Sequence, residues 1–124
     1  MTGVQTCALP ISTPTSAPWL ARQTLDLIEQ GALLADAGTK VLNVACDDLV
    51  SRVEFALRVA SMLGADATQV EGRPTEALKQ AAARPLRGGL DNHRLKRLLA
   101  VANLSLDEAL REALPRMRTL YATR

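Results

Sequence analysis

A chain of 124 residues, with 15 basic and 13 acidic side chains and a net charge of +2, has room for one domain. Its field is too weak to draw in nucleic acid or an anionic membrane. With 48% apolar and 23% charged residues it can build both a core and a solvated surface, which excludes general disorder. Aromatic residues are only 2%, namely Trp19, Phe55 and Tyr121, so Leu, Val and Ala must fill the core, and a base-stacking surface is excluded.

Cys7 and Cys46 stand far apart in no paired Cys or Cys/His spacing, so neither a zinc site nor a disulfide framework is predicted. Cys46 reads as a small buried hydrophobe. No apolar run approaches the roughly 20 residues of a membrane span, and the N-terminus lacks the basic start and apolar stretch of a signal peptide. The expected location is cytoplasmic.

The opening MTGVQTCALPI has neither helical nor strand periodicity. Residues 2–11 resemble the in-frame translation of a widely used sequencing-library adapter. The resemblance implies that residues 1–11 are an artefact without ordered structure, that residues 12–124 are the protein proper, and that native sequence upstream of Ser12 has been lost. Ser16 can then cap a helix, Pro18 suits its first turn, Leu20, Thr24, Leu27 and Ile28 supply an apolar face, and Gly31 ends it. After a loop over residues 31–40, the β-rich run 41–45 predicts a buried strand that ends at Asp47 and Asp48.

Ser51 with Glu54 forms a capping box. The helix it opens has Val53, Ala56, Leu57, Ala60 and Leu63 on one face, a Glu54–Arg58 pair and a stop at Gly64. Residues 69–72 suggest a short strand, Pro74 and Thr75 a short helix through Ala82, and residues 84–89 a loop. Asp91 can cap a helix with Leu95, Leu98, Leu99 and Ala102 inward and Arg94, Lys96 and Arg97 outward. Ser105 with Glu108 is a second capping box, opening a helix with Leu106, Leu110 and Leu114 inward that Pro115 should kink or end. Fraying is expected after Met117.

Chemistry-bearing patterns are sparse. The seven glycines, at 3, 31, 38, 64, 72, 88 and 89, form no Gly-rich turn between a strand and a helix, so no dinucleotide cradle is expected. Tyr121 has no Lys four residues on, which excludes the Tyr-x-x-x-Lys acid of short-chain dehydrogenases. His93 is the sole histidine and has no second ligand or nucleophile at a useful spacing; it reads as a partly exposed helix residue. Neither catalytic, metal nor cofactor-binding residues are expected in this chain.

Three stretches carry a resemblance. TPTSAPWLARQTLDLIEQGA (13–32) resembles a Pro-Thr, Leu-Ala helix that follows a substrate loop. VLNVACDDLVSRVEFALRVASMLG (41–64) resembles a His-Val-Ala-Gly strand with a Ser-x-x-Glu-Phe-Ala helix, with Asn43 and Cys46 departing from the His and Gly. RPLRGGLDNHRLKRLL (84–99) resembles an Arg-Pro loop, Leu-Asp and a basic helix, with Arg87 and Gly88 in place of Asn-Ser. Together they resemble the C-terminal, sugar-nucleotide-binding part of extended short-chain dehydrogenases of the dTDP-4-dehydrorhamnose reductase family.

That resemblance implies a helix-rich α/β fold, a C-terminal fragment of a Rossmann-superfamily enzyme with four to five helices and one or two short strands. The parent would reduce a 4-keto sugar on a nucleoside diphosphate, with NADPH or NADH held by an N-terminal Rossmann domain, in dTDP-rhamnose biosynthesis. This chain would be inactive alone. By carry-over Arg84 is the first candidate for the diphosphate contact and Arg87 the second, the guanidinium fork suiting phosphate oxygens; Asp91 reads as a cap. Apolar surface bared by the missing sheet, with the 41–45 strand as an open edge, implies marginal stability and self-association. The alternative is a nonenzymatic helical interaction or regulatory module. A nucleic-acid helix through Arg94, Lys96 and Arg97 would betray itself by steep salt dependence.

Overall fold

A computed structural model of the chain describes residues 4–7, 11–31, 41–79, 81–82, 85–99 and 104–122. Two compact units emerge, Met1–Thr13 with Leu49–Gly89, and Pro14–Asp48 with Leu90–Arg124. Among the described residues there are four α-helices and four short strands, a helix-rich α/β arrangement with more strands than the sequence suggested.

In the first unit, β1 (Val4–Cys7) pairs in parallel with β4 (Val70–Arg73), from Val4 opposite Val70 to Cys7 opposite Arg73. Of residues 1–11, Val4–Cys7 and Ile11 are described, and both lie in strands. Main-chain pairing needs only residues that tolerate an extended backbone, and Val4 and Thr6 are β-branched. β2 (Ile11–Ser12) pairs antiparallel with β3 (Val50–Ser51), which leads into α2 (Arg52–Leu63).

Ser51 Oγ accepts from the Glu54 N–H at 3.1 Å, Arg58 meets Glu54 at 2.7 Å, and Gly64 ends α2 with φ at 66°, as the sequence predicts. The face is narrower than expected: Ala60 is buried, Val53 and Ala56 are half-buried, and Leu57 and Leu63 are exposed. A Cβ on Gly72 would stand 3.0 Å from Val53 Cγ2, so the absent side chain lets β4 approach α2 closely. The helix foreseen from Pro74 to Ala82 is only a 3-10 turn, Thr75–Leu78, because Lys79 adopts a left-handed φ of 45°.

In the second unit, α1 (Ala17–Glu29) has Ser16 at its N-cap with Oγ accepting from the Trp19 N–H at 3.4 Å, and Gly31 follows with φ at 61°. The buried side is Trp19, Gln23 and Leu27, whereas Leu20, Thr24 and Ile28 face outward, Ile28 being 65% exposed. Of the expected face only Leu27 is inside. Uncharged residues cover more than half of this helix, so periodicity alone does not choose the side, and the large Trp19 ring takes it.

α3 (His93–Leu99) buries Leu95 and Leu99 against Trp19 and Leu27, with Leu42, Val44, Leu98 and Leu104 packed around them. Ala102 lies outside the described residues. α4 (Leu106–Ala122) opens on a reciprocal capping box: the Ser105 N–H donates to Glu108 at 2.9 Å and the Glu108 N–H to Ser105 Oγ at 3.3 Å. Leu106, Ala109, Leu110 and Leu114 are buried. Pro115 does not end the helix, which continues to Ala122 although the proline forfeits one i→i−4 bond.

Residues 41–45 belong to no ladder among the described residues, which corrects the predicted strand. Their neighbourhood replaces the ladder with side chains. The Ala45 carbonyl accepts from Asn92 Nδ2 at 2.8 Å, and the Cys46 N–H donates to Thr15 Oγ1 at 3.3 Å. The Asp47 N–H reaches the Leu104 carbonyl at 3.1 Å. Strand-like alternation survives in Leu42 and Val44, which turn to the helical core.

Candidate functional site

The loop that carries the sequence candidates begins after residue 84. Arg84 itself lies outside the described residues. Arg87 is described, with an exposed side chain, so the two candidates are not seen brought together. What fixes Arg87 is main chain from a distant part of the sequence. The Ile11 N–H donates to the Leu86 carbonyl at 3.0 Å, the Gly88 N–H donates to the Ile11 carbonyl at 3.0 Å, and Ile11 forms a parallel bridge with Arg87. Both peptide neighbours of Arg87 are therefore tied down while its guanidinium remains in solvent, an arrangement able to present a cationic fork to an anionic oxygen.

The stem that follows is built as a helix entry. Asp91 Oδ1 accepts from the His93 N–H at 2.8 Å and also meets His93 Nδ1. The His93 N–H, then its ring, hold the Asp91 carboxyl below the usual carboxylate range. Asp91 is thus the capping group the sequence suggested. His93 is exposed at the first turn, also as read.

Asn92 is the residue that sequence reasoning missed. It is buried, and its amide joins the Ala45 carbonyl to Asp47 Oδ1 at 2.9 Å, while Lys96 forms an ion pair with the same Asp47 carboxylate. Burial opposes ionisation of Asp47, but Lys96 and Asn92 outweigh it and lower its pKa. Lys96 is therefore a partner within the unit rather than part of a solvated basic face. An Asn between a helix cap and an apolar helix was the available signal, since such a side chain is either a turn former or a bridge.

The Pro-Thr motif also has a structural role. Thr15 supplies the acceptor for Cys46, and Ser16 Oγ donates to Glu112 at 3.4 Å. Arg22 grips Glu112 with both arms of its fork, one at 3.0 Å, linking α1 to α4. Cys46 is buried as expected, and burial pushes its thiol up. Among the described residues no cluster of His, Cys, Asp or Glu could hold a metal ion, and no helix is long and apolar enough to cross a membrane.

A nicotinamide cofactor would need a Gly-rich turn running from a strand into a helix N-terminus. The four described helices are entered through side-chain caps at Ser16, Ser51, Asp91 and Ser105, and none of these entries is such a turn.

Comparison with known proteins decides the family. A family model described as the RmlD substrate-binding domain matches residues 4–119. The chain belongs to that family. Its fold is also that of a solved structure, a dTDP-4-dehydrorhamnose reductase from Clostridium acetobutylicum, with a TM-score of 0.78 at 23% identity. The match covers 94% of this chain and 39% of the reductase, so the RmlD-type chain spans well under half the length of that relative. No curated protein matches the sequence.

Proposed function

We propose that this chain is the nucleotide-sugar-binding part of an NAD(P)H-dependent reductase that acts on a 4-keto sugar carried by a nucleoside diphosphate, of the dTDP-rhamnose type. Membership of the RmlD substrate-binding family over residues 4–119 is the observation that carries the reading. Arg87, and Arg84 before it, contact the diphosphate, where a guanidinium fork suits paired phosphate oxygens. NADPH or NADH binds to residues outside this chain, and the chain by itself reduces nothing. Titration with thymidine diphosphate, followed by calorimetry, tests the site: saturable binding that Arg87→Gln weakens supports it, and no binding at millimolar ligand overturns it. Titration with NADPH, followed by its fluorescence, should show no saturation.

Three further elements belong to the same reading. Residues 1–11 derive from an adapter, with residues 12–124 as the protein proper, and DNA sequence upstream of the Ser12 codon in the source genome tests this. The location is cytoplasmic. The chain self-associates, which a sizing column would reveal as a concentration-dependent elution volume. A nonenzymatic interaction module is favoured instead if the intact gene encodes no Gly-rich strand-turn-helix.

A further inference from the structure

We infer that the main chain at position 11, whichever residue the intact gene encodes there, is the device that positions Arg87 for its ligand. The inference rests on the reading of Arg87 as a phosphate contact. Arg87 sits between Leu86, whose carbonyl accepts from Ile11, and Gly88, whose N–H donates to Ile11. Within the same unit Ile11 stands opposite Ser51, the N-cap of α2. Arg87 is thus referred through one short strand to the start of a 12-residue helix.

Among the described residues of the loop, no side chain is buried to offer such a reference. Pro85, Leu86, Arg87, Gly88 and Gly89 are all exposed, and two successive glycines leave the following chain free to turn. A binding arm gains affinity when it is held in place before the ligand arrives. The holding groups are the N–H and C=O of one residue, so the identity of the side chain at position 11 is immaterial provided the N–H is present.

Proline at position 11 separates the two. In a strand the N–H and C=O of one residue point to the same side and those of the next residue to the other. Ile11→Pro therefore deletes the bond to Leu86 and leaves the groups of Ser12 in place. Thymidine diphosphate is titrated into the whole chain, into Ile11→Pro and into Ile11→Val, and the amide exchange of Gly88 is followed without ligand.

The expected result is roughly tenfold weaker binding for Ile11→Pro, the factor set by one lost interaction of ordinary strength. The melting temperature should hardly move, Gly88 should exchange faster, and Ile11→Val should restore both readings. Unchanged affinity in Ile11→Pro, or an equal loss in Ile11→Val, overturns the inference. If the whole chain does not bind thymidine diphosphate, the phosphate reading fails by itself. Exchange at Gly88 then still decides the clamp: equal protection in the Pro and Val variants overturns it.

Discussion

In the helical unit Trp19, Leu27, Leu95, Leu99, Leu106, Leu110 and Leu114 are buried, whereas among the described residues of the strand-bearing unit the buried apolar residues are Val50 and Ala60. The helical unit is held by apolar contact, the strand-bearing unit chiefly by paired main chain and helix caps. The candidate arm at Arg87 lies in the unit with the smaller core. Binding loops are commonly drawn from such less stable regions, which rearrange at low cost. Sequence identity should therefore matter most in the helical unit, and backbone geometry most in the other.

The strongest break of that contrast is Leu95→Ala. Leu95 is 0% exposed at the centre of the helical core, and its truncation should cost about 2–5 kcal/mol in urea unfolding. Leu57→Ala in the strand-bearing unit, at a side chain 38% exposed, should cost about 1 kcal/mol or less. Equal losses would show that the two units do not differ in this way.

Asn92→Ala comes next. It leaves the Ala45 carbonyl without its side-chain donor and Asp47 with Lys96 alone, so about 1–3 kcal/mol should be lost. Unfolding of Asn92→Asp provides the comparison, since a carboxylate beside Asp47 should be no better than alanine. Ser105→Ala and Ser51→Ala, one cap from each unit, should each cost roughly 1 kcal/mol, because a cap acts locally. A clear inequality between them would mean that a helix in one unit depends on its neighbours more than its cap suggests.

The smallest effect is that of pH. The folded pKa of Asp47 is depressed, so its contribution to stability is fully present above the unfolded value, near 3.9 or so, and is lost as pH falls through the lower folded value. The urea midpoint of the parent chain should fall over that acid range more than that of Asp47→Asn. Parallel curves would remove Asp47 from the account.

Helix caps and stops were legible in the sequence. Ser16, Ser51 and Ser105 cap the helices they were expected to cap, Gly31 and Gly64 end theirs, and Leu95, Leu99, Leu106, Leu110 and Leu114 are inside. Each of these depends on groups within one helical turn or on one helix face, and such contacts are encoded at fixed spacing. The family too was legible, since the Pro-Thr, Ser-x-x-Glu-Phe-Ala and Arg-Pro stretches occur in order along the chain.

What only the tertiary structure decided depends on residues distant in sequence. The side of α1 that is buried was set by the partner side chains Leu95 and Leu99, not by its own pattern. Residues 41–45 have strand composition, yet the main chain around them is met by Thr15, Asn92 and Leu104, because a main-chain N–H or C=O pairs with any partner that reaches it. Arg87 was reached as a candidate through the resemblance of the Arg-Pro stretch. That Ile11, 76 positions earlier by the numbering, should hold it through main-chain atoms leaves no trace in side-chain identity, and so no trace in the sequence.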